Sequence, residues 1–327
     1  MKRNQVSGIL RLAFAISIIA AVTAVLSPTP SLAQSSLNQN MGAVLRQLLS
    51  PGNPLPTLWN YSTPQTYGAN RGGVTDSTAA FQAAINAGDV LVPAGTYLIN
   101  GNVWVPNNRN IQCQNGAVLL TTLKTPTEGG ILDYYNTGWG SVVGCTFRGT
   151  NTTIPAVEDD TQARMLIDMS SAQHVQLIGD TFEYAWGDSA VHMTYAASAL
   201  SGSSSNTVEF CTFRNNALYG LAIVSGANNL IAYDQFLDSS VGSESNQPTG
   251  YQNAGNVFTQ LNITQINGNG YEYIFLSGGA YPVGSDYSGN TVVSNYVSGA
   301  KIVVTDGNSV TPASYINNTC VNGCWVH

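Results

Sequence analysis

The sequence is short of charge. Asp, Glu, Lys and Arg make up 9% of its 327 residues, and there are three histidines. The few Lys and Arg are scattered, which excludes the clustered basic surface that nucleic acid requires. Past the N-terminus, no run is apolar enough to span a bilayer. No Cys-x-x-Cys pair or histidine cluster offers zinc-ligand spacing. No leucine-rich or WD-type repeat is visible, and the spacing does not suit the two-residue hairpins of a sandwich or propeller. What is abundant is Asn, Ser, Thr and Gly. A surface made of these is soluble through neutral polar groups and suits neutral sugars.

The first 33 residues follow the plan of a secretory signal. Lys2, Arg3 and Arg11 precede an apolar run from Leu12 to about Leu26, and Ser31-Leu32-Ala33 sets small residues around Leu32. Cleavage is expected after Ala33, leaving no membrane span and a secreted or periplasmic product. Removal takes three of eleven basic residues and no acidic ones, so the mature balance is 8 against 18, near −10. Residues 34–62 form a cap or linker, with one helix expected from about Asn40 to Leu49, where Met41, Val44, Leu45 and Leu48 share a face. Residues 63–327 are expected to be one domain.

That domain begins with its most informative stretch. Tyr67-Gly68-Ala69 leads to Gly73-Val74-Thr75-Asp76-Ser77-Thr78, and then to an Ala-rich helix with Ala80, Phe81, Ala84 and Ile85 on one side. Asp76 or Ser77 can cap its start and Gly88 its end. Val90 to Ile99 reads as strand, Pro-Ala-Gly turn, strand. Residues 67–99 resemble the N-terminal signature of the pectin-lyase-like β-helix superfamily, more narrowly its pectate-lyase-type, rhamnogalacturonase- and epimerase-like domain. The resemblance implies an all-β chain: a single-stranded right-handed parallel β-helix with an N-terminal capping helix. It also implies a groove on one outward sheet face that holds a polysaccharide.

The rest of the chain repeats. Cys145-Thr146-Phe147, Asp180-Thr181-Phe182, Cys211-Thr212-Phe213 and Asp234-Gln235-Phe236 recur at 23 to 35 residues. An irregular period of short β runs means stacked coils joined by loops of unequal length. Parallel strands stack about 4.8 Å apart, within disulfide reach. Cys113 and Cys145 are therefore expected to bridge adjacent coils, with two buried free thiols as the alternative. Cys320 and Cys324 could close a C-terminal loop. Cys211 is the candidate free thiol, because the neighbouring coil has Asp180 in its place.

The strand after each Phe corner carries the charges that could do chemistry. Arg164 and Asp168 come first, then Asp188 and His192, then Glu244, Glu272 and Lys301. Glu244, Asp188, Asp168 and His192 are the candidate catalytic groups. Arg164, Tyr184, Trp186, Tyr219, Glu272 and Lys301 are the candidate substrate contacts, the aromatics offering flat faces to sugar rings. Carboxylates one coil apart sit about 5 Å from each other, the separation of a retaining glycosidase pair, and two coils apart about 10 Å. Asp168 with Asp188 fits the first, and Asp188 with Glu244 lies near the inverting range. Asp168 could equally cap a corner, and His192 could equally point inward, since a one-residue slip flips the face. No cofactor is firmly implied. In a lyase, Ca2+ held by Asp168 and Asp188 could neutralise a uronate.

The hydrolase branch of that superfamily carries Asn-Thr-Asp, Asp-Asp, Gly-His-Gly and Arg-Ile-Lys motifs in its coils, and none of these is present in the coils here. The expectation is a carbohydrate-active protein working on an extracellular polysaccharide or oligosaccharide by lyase or glycoside hydrolase chemistry. A non-catalytic carbohydrate-binding, matrix or adhesion coil is the alternative.

Overall fold

The computed structural model describes residues 61–124, 129–154, 156–157, 164–187, 189–194, 202–244, 254–264, 266, 273–277, 290–299, 301–305, 314–321 and 325–326. For residues 243–244, 273–277, 301–305, 314–316 and 325–326 only the backbone is described. The leader and the helix expected at 40–49 lie outside these residues.

The chain winds as a parallel coil. Each turn contributes a strand to sheet 1, then sheet 2, then sheet 3. The first full turn uses Val90–Val92, Gly95–Leu98 and Val103–Trp104. Among the described residues, sheet 2 stacks ten strands from Gly72–Asp76 to Thr319–Val321, and sheet 3 stacks nine from Val103–Trp104 to Trp325–Val326. Every strand pairing is parallel to the turn before and after it. No hairpin is needed, and the alternation of inward and outward side chains persists through the stack.

The helix α1 (Thr78–Ala87) closes the N-terminal end of this core with Ala80, Phe81, Ala84 and Ile85 buried. Ser77 occupies the cap position, but Asp76 supplies the capping oxygen. Its Oδ1 accepts the Thr78 N–H at 2.9 Å and the Thr78 hydroxyl at 2.6 Å. Ser77 Oγ instead accepts the Asn70 N–H at 3.1 Å, which ties the preceding loop to the helix.

Inside sheet 2, Phe147, Phe182, Phe213 and Phe236 stand in register and fully buried. Their rings stack at 5.3, 4.9 and 4.6 Å between centroids. Leu119 precedes the column, and Ile263 and Val297 continue it. One coil alone could bury only one face of each ring. Stacking gives each inner ring a partner on both sides, which explains why the motif repeats.

The corners are held by side-chain ladders. Before sheet 1, Asn206, Asn229, Asn256 and Asn290 each accept a backbone N–H from the preceding coil, at 2.8 to 3.1 Å. Between sheets 1 and 2 the corner takes a left-handed backbone. Gly144 and Gly179 occupy it first, then Phe210 and Tyr233 at φ 58° and 60°. The two aromatics accept that strain and stack on each other at 5.1 Å.

Cys113 and Cys145 lie on adjacent coils and are joined by a disulfide, with 4.9 Å between their Cα atoms. Cys320 is also disulfide-bonded. Cys324 lies outside the described residues. Cys211 is a buried free thiol.

Candidate functional site

Sheet 3 sets which outward residues meet. Its register opposes Trp104 to Asp133, Asp133 to Asp168, Asp168 to His192, and His192 to Ala222. Gly242 follows Ala222. The flanking Leu132, Ile167 and Val191 are buried in the coil, so the column between them faces outward. It carries an aromatic ring, two carboxyls and an imidazole on four successive turns, then turns small and neutral.

Asp133 and Asp168 are therefore one strand spacing apart, about 4.8 Å between backbones. Both are nearly covered, at 2% and 7% exposure. Their surroundings differ. Asp168 Oδ1 accepts the Ser170 N–H at 2.9 Å and the Ser170 hydroxyl at 2.6 Å. Asp133 Oδ1 is buried without a hydrogen-bond partner. Burial first, and then the charge of Asp168, push the Asp133 carboxyl up to about 7, against the lowering effects of the Tyr135 N–H and of Arg164. Asp133 is thus the member of the pair whose surroundings favour holding a proton.

Arg164 lies within electrostatic reach of Asp133. Its side chain reaches back over two coils, donating to Asn102 Oδ1 at 2.9 Å, Gly101 O at 2.7 Å and Gly130 O at 3.0 Å. Burial lowers its pKa to about 10, while Asp133 and Asp76 act to raise it. Glycine is required at 129 and 130. A Cβ on Gly129 would lie 2.6 Å from Asp133 Oδ2, and one on Gly130 2.8 Å from the Asp168 N. His192 Nδ1 sits 3.2 Å from Met165 Sδ, and its Nε2 is buried without a partner.

Several sequence expectations change here. The charges from Arg164 to Lys301 do not form one ladder. Lys301 opposes Tyr273, and Glu244 opposes Ser277. Glu244 lies two residues past Gly242, three coils and roughly 16 Å from Asp168 between backbones, and its expected partner Asp188 lies outside the described residues. Asp168 opposes His192 rather than Asp188. That removes the register on which both the Asp168–Asp188 carboxylate pair and the calcium scheme depended. Arg164 is 2% exposed and holds backbone, so it is not a surface contact. Tyr219 shares the inward parity of Leu221 and Ile223 and is buried too.

Others stand elsewhere. His192 is half-buried on the outward side. Tyr184 and Trp186 are half-buried at the corner between sheets 2 and 3, where Lys124 Nζ lies 4.3 Å from the Trp186 ring. Asp188 and Glu272 lie outside the described residues, as do the side chains of Glu244 and Lys301. Among the described residues, no group of three or more His, Cys, Asp or Glu is placed to hold a metal ion. No described helix is long and apolar enough to cross a membrane.

The sequence reading missed Asp133. Its signal was present: Ile131-Leu132-Asp133 and Leu166-Ile167-Asp168 share a pattern at an interval of 35 residues, the same as Phe147 to Phe182. It also missed the ion triplet on sheet 2, where buried Glu183 is gripped by half-exposed Arg148 and Arg214 from the coils on either side.

No family model matches the sequence, and no curated protein matches it. Solved structures do match. A 1,3-α-1,4-β-D-galactose-4-sulfate-3,6-anhydro-D-galactose-2-sulfate 4 galactohydrolase aligns with TM-score 0.53 and 14% identity, over 85% of this chain and 64% of that one. The tailspike protein of E. coli bacteriophage HK620, in complex with a pentasaccharide, aligns with TM-score 0.52 and 14% identity, over 87% of this chain and 56% of the tailspike. This chain thus spans under two thirds of either protein. At such identity the likeness concerns architecture, and the chain has the fold of the right-handed parallel β-helix proteins.

Proposed function

We propose that this protein is an exported glycoside hydrolase that cleaves an extracellular polysaccharide on the outward face of sheet 3. The observation that carries the reading is the in-register pair Asp133 and Asp168, with Asp133 held protonated up to about pH 7. Glycoside hydrolysis needs two carboxyl groups in opposite protonation states. Asp133 donates its proton to the leaving glycosidic oxygen. Asp168, oriented by Ser170, attacks the anomeric carbon. Water then releases the sugar, with Asp133 acting as base. A one-coil separation sits near the roughly 5–5.5 Å of retaining enzymes. Of the two structural neighbours, one is named a galactohydrolase and the other is bound to a pentasaccharide, and a carbohydrate substrate is in keeping with both.

The near-complete cover over both carboxyls favours a second reading, a non-catalytic carbohydrate-binding or adhesion coil. A panel of neutral and uronate-rich polysaccharides separates the two. New reducing ends with a retained anomer support the hydrolase. Rising absorbance from an unsaturated product would replace it with a lyase. Binding without cleavage would establish the second reading.

A further inference from the structure

The column that holds the two carboxyls begins with an unusual residue. Trp104 is 50% exposed, while Val103 and Val105 on either side are buried. Its register partner is Asp133. Tyr135 stands two residues past Asp133 and is 37% exposed. The Trp104 and Tyr135 rings meet edge to face at 6.1 Å and 83°. Together they form two exposed walls beside the Asp133–Asp168 pair, Trp104 from the coil before Asp133 and Tyr135 from Asp133's own coil.

Trp104 is also fixed in place. The Gln82 side chain of α1 accepts the Trp104 N–H at 2.8 Å and donates to the Trp104 carbonyl at 2.9 Å. Both backbone polar groups of Trp104 are thus held by one amide, so the backbone that carries the ring is ordered before a ligand arrives. Core packing does not explain an exposed ring prepared in this way. Trp139 gives the contrast. It is 60% exposed, but His174 already covers one face at 3.9 Å between centroids, and it sits on sheet 1, off the carboxyl column.

We infer that Trp104 and Tyr135 form a binding subsite for a neutral pyranose ring, adjacent to the Asp133–Asp168 pair. A pyranose presents an apolar C–H face bounded by hydroxyls. That face lies on one aromatic wall while its edge meets the other. The ligand is neutral because, among the described residues, the column itself carries no lysine or arginine, and Arg164 beside it is buried and donates to Asn102, Gly101 and Gly130. An anionic sugar there would meet the Asp168 carboxyl with no cation on the described part of the column. The glycan then runs along the coil axis, with one ring on Trp104 and the scissile bond over the carboxyls. This subsite rests on the carbohydrate reading above, which the experiment tests separately.

The experiment is calorimetric titration of the full chain with cellohexaose, maltohexaose, mannohexaose and a hexagalacturonate, on wild type, W104A, W104F and W139A. The expected result is binding of at least one neutral hexasaccharide by wild type, weakened about tenfold in W104A, a loss of ~1.4 kcal/mol. W104F retains most of the affinity, which keeps the test informative if W104A folds poorly. W139A binds as wild type does. Equal affinity in wild type and both Trp104 variants, or preference for the uronate, would overturn the subsite and leave the carbohydrate reading standing. No binding of any of the four by wild type would overturn both.

Discussion

Asp133 and Asp234 are both buried aspartates whose carboxyls are pushed above the usual range, chiefly by burial, yet the coil uses them in opposite ways. Asp234 sits in the corner ladder between sheets 1 and 2. Its Oδ1 accepts the Cys211 N–H at 2.7 Å, and Asp180 does the same for the Cys145 N–H two turns earlier. Two and three turns on, Asn295 and Asn318 take over that task, accepting the N–H groups of Leu261 and Asn295. An acid at this corner is doing an amide's work. Asp133 accepts no such corner bond. It faces outward beside a second carboxyl, an exposed indole and a nearby arginine. Burial and a raised pKa therefore do not mark a functional acid by themselves. The neighbours along the stacking direction decide.

The largest test of this contrast is at Asp133. Asp133→Asn should reduce turnover of the cleaved polysaccharide by ~10²–10⁴-fold, the usual worth of a general acid, without lowering the melting temperature. Full activity in that variant would make Asp133 a structural acid like Asp234. The pH profile gives an independent check. Activity that needs the Asp133 proton should be complete below about 7 and fall as pH rises through that value. The stability sign follows the same proton. A carboxyl whose folded pKa is raised contributes stability that is present below the unfolded value of roughly 4 and lost as pH rises through the folded one. Wild type should therefore lose stability between about pH 4 and 7, and Asp133→Asn should lose less.

How much of this was legible in the sequence depends on what held each feature in place. The capping helix, the Phe column and the coil period were readable because each is local or recurs with its own residues. The ladder of charges was not. The chain between successive sheet 2 and sheet 3 strands changes length from coil to coil, so counting from the Phe corner does not fix the register across sheet 3. Asp168 meets His192 because the strand ends there, and no spacing rule states that. Arg164 was misread for a different reason. Its partners Gly101 and Asn102 lie 63 and 62 residues upstream, a contact that appears only once the coils stack.

Arg164 supplies the next largest effect. Arg164→Met removes the guanidinium from a buried cluster that includes Asp133 and the carbonyls of Gly101 and Gly130. A loss of about 3–5 kcal/mol in denaturant melts is expected, as for a buried pair broken on one side. Because Arg164 acts to lower the Asp133 pKa, the alkaline limb of activity should also move to higher pH. A stability loss with an unmoved limb would detach Arg164 from the site and leave it a packing residue.

The smallest effect is expected at Asp234, where the comparison can be sharpened from the other side. Its Oδ2 is buried without a partner, at a position where Asn295 donates its Nδ2 to the Phe258 carbonyl at 3.0 Å. A protonated carboxyl can imitate that donor, and burial, with the charges of Glu209 and Asp180, favours the protonated form. Folding must then take up a proton that the unfolded chain has released above about pH 4, which costs stability as pH rises. Asp234→Asn supplies the donor without the proton. It should match wild type near pH 4 and melt higher at pH 8, by about 2–4 °C for a change of ~1 kcal/mol, with activity unchanged. Melting curves across that range decide it. An Asn variant that melts lower at pH 8 would mean that Asp234 is ionised in the fold, and that the corner has some use for its charge that an amide cannot meet.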